Sequence, residues 1–356
     1  MSEQATPPPA VTPPPDEHQR VEAAAEETAA KRESSFARMM NSSVGRNLGL
    51  VIALVVLIII GVATAGDRFA SVDNMLTILR FASVIGVVSI GMTFVIIGGG
   101  IDLSVGAIVA LASVWATTLA TQTMAEDTHW LVMVFAALAV GSGCGVVNGL
   151  LIAYGRMAPF IATLAMLAAA RGLAEIISER RTQIVEVREF VEFFGGSFLG
   201  IPRLVWIFAL VSAIGWVLLN RTTFGRRTIS VGGNAVAARL AGINVKRHTL
   251  LLYTLLGFAC GIAAIMIIAR TTTGSSTHGL LYELDAIAAV VIGGTLLTGG
   301  RGTIVGTVFG VLIFATLTNV FTLNNLDISS QAVAKGVIIV LAVLLQQRVA
   351  ARNGST

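Results

Sequence analysis

Ile85 to Leu119 reads IGVVSIGMTFVIIGGGIDLSVGAIVALASVWATTL, an apolar stretch interrupted once, by Gly98-Gly99-Gly100-Ile101-Asp102-Leu103-Ser104-Val105-Gly106. Continued outward to residues 77–97 and 104–123, the two arms reach the roughly 20 residues that cross hydrocarbon as a helix. Three successive glycines break a helix, and Asp102 with Ser104 can cap the start of the next. Irregular backbone at membrane depth is tolerated only where protein or a water-filled cavity surrounds it. Two readings of the turn therefore stand side by side, a site beside a solute pathway and a plain helix turn with Asp102 as its cap. Both give the same fold class, an all-α polytopic membrane protein with glycine-broken helices.

Outward from this stretch, apolar runs recur near 48–64, 77–97, 104–123, 130–152, 159–177, 204–220, 249–270, 285–299, 303–323 and 331–346, which predicts about ten transmembrane helices. Three of the runs are short, as tilted or broken helices would be. Composition agrees: 55% of residues are hydrophobic and only 12% charged, against about 25% charged in a soluble domain. Water cannot solvate so poorly charged a surface. Ten crossings return both termini to one side. That side is set by Arg221, Arg226, Arg227, Arg239, Lys246 and Arg247, which occupy the 221–248 loop without one Asp or Glu. The positive-inside rule makes it cytoplasmic. Arg156, Arg301, Arg348 and Arg352 then also fall inside, and Glu126, Asp127, Glu283 and Asp327 outside. The 178–203 loop, with balanced charge, must be external. Three regions result: a cytoplasmic Pro/Ala/Glu-rich tail over 1–47, too poor in apolar surface to offset its ordering entropy, a membrane domain over 48–346, and a short cytoplasmic tail over 347–356.

Enzyme chemistry finds no foothold at depth, where paired carboxylates, a Ser/His pair and metal ligands are all lacking. His18, His129, His248 and His278 are scattered without ligand spacing and read as loop or interfacial residues. Cys144 and Cys260 lie in apolar runs as small hydrophobes. No metal, cofactor or nucleic-acid partner is implied. Gly300-x-Gly302 lacks the rest of a phosphate-binding loop, so the chain should not bind ATP itself. Arg171 and Glu175, four apart on one helix face, are expected to pair. Arg80, Arg270 and Asp285 lie near span ends, where snorkelling or capping accounts for them. Lys335 sits a turn inside the last span.

A second glycine-rich turn, Ile292-Gly293-Gly294-Thr295 with Gly299-Gly300-Arg301-Gly302 behind it, joins two apolar runs much as residues 98–106 do. Spans 1–4 are thus echoed by spans 7–10, as internal repeats in transporters would be. In the basic loop, Gly232-Gly233-Asn234-Ala235-Val236-Ala237-Ala238-Arg239-Leu240-Ala241-Gly242-Ile243 predicts a short amphipathic helix. Asn234 is its N-cap and Gly242 its stop, with Val236, Leu240 and Ile243 in one apolar stripe. The stripe needs a partner: the lipid surface, the chain's own helix ends or another subunit.

The chain resembles the permease subunits of bacterial ABC importers for monosaccharides, of the ribose, xylose and arabinose type, over about residues 48–346. The resemblance is carried by Gly99 to Gly106, Pro159-Phe160-Ile161, Arg171-Gly172, Phe224-Gly225-Arg226, Gly232 to Ile243, Tyr282 to Ala289 and Gly293-Gly294. It implies a multi-pass protein of the cytoplasmic (inner) membrane that moves a monosaccharide, ribose by default, using ATP hydrolysed by a separate cytoplasmic ATPase. An extracytoplasmic sugar-binding protein and a second permease copy in a homodimer are the other implied partners. Gly233, Asn234, Ala238, Arg239, Leu240, Gly242 and Ile243 would form the coupling helix that docks on the ATPase. Along the path, Asp102, Ser104, Asn148 and Asn319 are polar groups that either meet sugar hydroxyls or hold helices together. The rival reading is an ion-coupled secondary transporter of a small polar solute.

Overall fold

The computed structural model describes residues 43–327, 329–338, 340 and 344. Most of the expected N-terminal tail, through residue 42, and all of the expected C-terminal one, 347–356, lie outside them. By its contacts the chain divides after Gly49; before that point residues 43–49 are described, and they are helical.

The first half is built from helices alone. After α1 (Ser43–Ala65) and the single turn α2 (Asp67–Ala70), α3 runs Val72–Ile97, started by Ser71, whose Oγ accepts from Asn74 N at 3.2 Å. Its residues from Ala82 to Ile97 are all buried. The glycine turn follows, then α4 (Val105–Ala116) and α5 (Leu119–Asp127). The sequence predicts one helix over 104–123. Instead α4 and α5 meet at 54°, because Thr118 accepts from Thr121 N and caps a new helix there. Next come α6 (Leu131–Ala153) and α7 (Pro159–Ser178).

The second half opens with β1 (Gln183–Ile184), α8 (Arg188–Gly195) and the small hairpin β2 (Ser197–Phe198) and β3 (Ile201–Pro202). Helix α9 (Arg203–Arg221) leads into α10 (Thr223–Gly233) and α11 (Ala235–Leu240). The chain continues through α12 (Val245–Thr271), β4 (Thr273–Gly274), α13 (Tyr282–Ile292) and α14 (Ile304–Leu323). β4 pairs antiparallel with β1.

Helices α3 and α12 form the buried axis, with α6 packed along α12. That packing is set by small residues. A Cβ on Gly141 or Gly145 of α6 would strike the α12 backbone at Gly257 or Tyr253, so the two helices approach at backbone distance, the common solution where lipid offers no hydrophobic drive. By contrast α1, α7 and α9 leave apolar side chains such as Ile59, Ile176 and Leu210 exposed. In a chain of long apolar helices, such faces meet lipid or another subunit.

Seven helices among the described residues are long and apolar enough to cross a bilayer, or eight if the bent α4–α5 pair is one crossing. Besides the bent 104–123 run, two of the ten expected spans differ. The 285–299 run yields only α13, eleven residues or about 17 Å of helix, because Gly293 and Gly294 end it. Of the 331–346 run, 331–338, 340 and 344 are helical, and the rest lies outside the described residues.

Candidate functional site

The turns 98–104, 154–158, 222–244 and 293–303 gather at one end of the bundle. There α10 is capped by Thr222, whose Oγ1 accepts from Phe224 N at 3.2 Å, and is pinned to α12 by a 2.9 Å hydrogen bond between Thr228 Oγ1 and His248 Nε2. His248 is buried, as is His278, which meets Ser113 Oγ through Nδ1 at 3.1 Å. His248 lies in the first turn of α12, and His278 in the non-helical 275–281 segment, a loop position in line with its scatter though a buried one. Each of these ring nitrogens finds a hydroxyl inside the fold.

Helix α11 starts where expected: Asn234 Oδ1 accepts from Val236 N and Ala237 N, each at 3.0 Å. It stops at Gly242, which takes a positive φ of 84° while Ile243 N donates back to Ala238 O at 3.0 Å. A left-handed residue with a returning N–H is the usual helix stop. Ala238 faces inward, 4% exposed, whereas Val236 is 65% and Leu240 85% exposed. Ile243 is half-buried and Gly233, Asn234 and Arg239 are exposed. Thus the apolar stripe finds no partner among the described residues. Arg156 and Lys246 line a cavity with Arg239, and Arg227 and Arg247 one with Gly242 and Ile243, with no acidic residue in the 221–248 segment.

Three glycine stretches converge directly behind α11. Gly99 has φ 83°, Gly299 φ 85° and Gly300 φ 73°, a region that side chains with a Cβ rarely occupy. Gly300 N donates to Ile97 O at 2.8 Å, joining the two broken-helix turns. Gly232 lies across that bond. A cavity of about 350 Å³ opens beside the junction, lined by Gly98 to Gly100, Gly232 to Ala235, Tyr253 and Thr298 among others. The two turns also share backbone detail. Gly98 N donates to Phe94 O, Gly99 N to Ile96 O and Gly100 N to Val95 O; Gly293 N donates to Ala289 O, Gly294 N to Val291 O and Thr295 N to Val290 O. The same three bonds also end α11, at Ala241, Gly242 and Ile243, and α14, at Asn324, Asn325 and Leu326, so they mark a common helix stop rather than a repeat.

Asp102, Ser104 and Asn148 come together. Ser104 donates through N and Oγ to Asp102 Oδ1 at 2.7 and 2.5 Å, and Asn148 Nδ2 donates to Asp102 Oδ2 at 3.2 Å and Ser104 Oγ at 3.0 Å. All three are at most 1% exposed. Asp102 is not the cap of α4 that its spacing suggests, since it engages Ser104 itself and fastens the turn to α6. Tyr253 Oη donates to Ile101 O at 3.3 Å, adding a tie to α12. Asn319 lies elsewhere, in a reciprocal pair with Asn74 at 2.8 and 3.1 Å near the start of α3.

The expected Arg171–Glu175 pair is not formed. Arg171 donates to the carbonyls of Ser276 and His278, the latter at 3.0 Å, while Glu175 pairs with Arg180 at 3.0 Å. The physical reason is that residues 275–281 are not helical, so their carbonyls lack intrahelical donors and a guanidinium fork supplies them. Gly279 reaches Gly106 at the start of α4, and Gly274 reaches Thr117 at its end. Residues 274–279 therefore run alongside α4 as a series of turns and lead into α13. Asp285, expected as a cap or snorkelling group, instead meets Lys335 Nζ at 3.4 Å, with Lys335 above the Phe314 ring at 4.7 Å.

Known proteins share this sequence over most of its length. The family model described as branched-chain amino acid transport system / permease component matches residues 74–345. Ribose import permease protein RbsC of Escherichia coli (strain K12) is 42% identical over 84% of this chain and 92% of its own length. The protein of the same name in Bacillus subtilis (strain 168) is 43% identical over 87% and 96%. L-arabinose ABC transporter permease protein AraH of Azospirillum brasilense is 37% identical over 84% and 87%. No solved structure matches the chain.

Proposed function

The chain belongs to the branched-chain amino acid transport system / permease component family, and from that premise we propose that it is the permease subunit of an ATP-driven importer of a monosaccharide, ribose first among the candidates. The relatives named above are permeases for ribose and arabinose, which favours a sugar over the amino acids of the family's title. The chain is a multi-pass protein of the inner membrane and performs no hydrolysis of its own.

The observation that carries the reading is α11: a capped helix at the basic end whose Val236 and Leu240 are exposed, and whose preceding residues Gly232 and Gly233 meet the junction of the two turns. Such an apolar stripe suits a groove on a cytoplasmic ATPase, with Arg239 and its basic neighbours as the rim. Closure of the nucleotide site would press on α11 and shift the membrane helices as rigid bodies between two arrangements, each favoured by a different ligand state. The basic end is the cytoplasmic one by the positive-inside rule, and both termini lie there. An extracytoplasmic binding protein delivers the sugar at the strand-bearing end, and a second permease copy covers exposed apolar helix faces. In this reading Asp102, Ser104 and Asn148 hold the first turn in place beside the solute's route, while Asn319 fastens helices.

Co-expression with its ATPase, purification, and measurement of labelled ribose uptake into vesicles tests the proposal. Uptake should require ATP and the binding protein and should survive collapse of ion gradients. Uptake that persists without the ATPase would overturn it. Competition by unlabelled xylose, arabinose and galactose identifies the sugar.

A further inference from the structure

We infer that Gly232 is a positioning residue for transport: its missing side chain lets the segment leading into α11 lock onto both broken-helix turns at once, so that a push on α11 moves the two turns together. The inference rests on the permease reading above and adds the element of transmission to it.

The geometry is specific. Gly232 stands near the end of α10, one residue before Gly233 and two before the Asn234 cap of α11. A Cβ built on it would collide with Ile97 O and lie 2.7 Å from Gly300 N. Those two atoms are acceptor and donor of the 2.8 Å hydrogen bond that joins the first turn to the second. A methyl at Gly232 would therefore be a wedge in that bond. The contact is continued on both sides: a Cβ on Gly299 would lie 3.0 Å from Gly99 Cα and 2.9 Å from Gly232 O, and one on Gly300 would lie 2.9 Å from Gly233 Cα. Every one of these neighbours is backbone, which cannot rotate aside as a side chain would. Backbone packed on backbone passes displacement with little slack, since close-packed interiors transmit strain. Beyond the junction, the first turn leads through Asp102 to α6, and the second leads into α14. Both halves of the bundle are thus tied to α11 at one point.

The test uses the full complex with its ATPase and binding protein in vesicles, and reads ribose imported per ATP hydrolysed. Misfolding lowers both quantities alike and leaves that ratio where it was. Gly232→Ala is expected to keep basal ATP hydrolysis and to lower the ratio, because hydrolysis continues in the ATPase while the two turns no longer move together. Gly143→Ala, on α6 with open space around its Cα, controls for glycine replacement as such and should leave the ratio unchanged. An unaltered ratio in Gly232→Ala would overturn the inference while leaving the importer intact. Should that variant not assemble, hydrogen exchange on the unaltered complex decides. Amides of 95–100, 231–235 and 296–302 should change protection together when ATP binds, and a change confined to 231–235 would overturn the inference. Failure of the unaltered chain to bind its ATPase would sink the permease reading, and this one with it.

Discussion

At the scale of single residues, the buried polar groups act through geometry that a change of one atom or one side chain can probe. Asp102 accepts from Ser104 and Asn148, with no cation among its hydrogen-bond partners in the described residues. Asparagine keeps one acceptor oxygen for Ser104, so Asp102→Asn should retain most ATP-driven uptake at neutral pH. Asp102→Ala strands the Ser104 N–H and hydroxyl at about 1–3 kcal/mol per orphaned group, and a lower melting temperature in detergent should show it. Abolition of uptake by Asp102→Asn in a well-folded protein would instead mean that the carboxyl carries a proton. Arg171 is legible in the sequence only as an ion at depth. Its neighbour at i+4 suggests a pair, but the nearer need is the carbonyls of Ser276 and His278, far along the chain. Arg171→Met should unfasten that segment and reduce assembled protein. Lysine carries charge without the planar fork, so Arg171→Lys should rescue only partly, as the yield of monodisperse complex would report.

At the scale of elements, α11 and the α6–α12 contact make opposite demands. Helix α11 is short enough that its caps, Asn234 and Gly242, fix it, and both are readable from residue type because local hydrogen bonds and a positive φ depend on neighbours in the chain. On the permease reading, its exposed stripe is received by a groove on the ATPase. Leu240→Asp and Arg239→Glu should leave the protein inserted but weaken its hold on the ATPase, by about 2 kcal/mol or more for a buried anchor. Co-purification yield and ATP-driven uptake measure the loss, and unchanged uptake in both variants would count against α11 as the docking helix. The α6–α12 contact concerns the fold itself. Gly141→Leu would force a branched side chain against the Gly257 carbonyl, costing about 3 kcal/mol as overpacking, and should reduce inserted, monodisperse protein rather than coupling alone.

At the scale of the whole molecule, charge and exposure make the remaining predictions. Single cysteines at Arg239 and at Glu126 should label with an impermeant reagent from opposite sides of the membrane, Arg239→Cys only from the cytoplasm. Labelling of both from one side would reverse or break the topology. On the permease reading, the intact complex should contain two permease copies by native mass measurement, and a single copy would leave apolar faces such as that of α7 to lipid alone. The sequence by itself determined the fold class, most of the spans, the basic end and the caps of α11, since apolar run length, charge bias and capping are local quantities that neighbours in the chain decide. It also marked Gly99, Gly232 and Gly300 as glycines without saying that they meet. Only the tertiary structure decided that three such stretches share one junction, that residues 274–279 run beside α4, and that Asn148 serves Asp102 while Asn319 serves Asn74. Those pairings depend on which backbones can approach to van der Waals distance, and that is settled by packing between segments far apart in the chain, on which no local pattern bears.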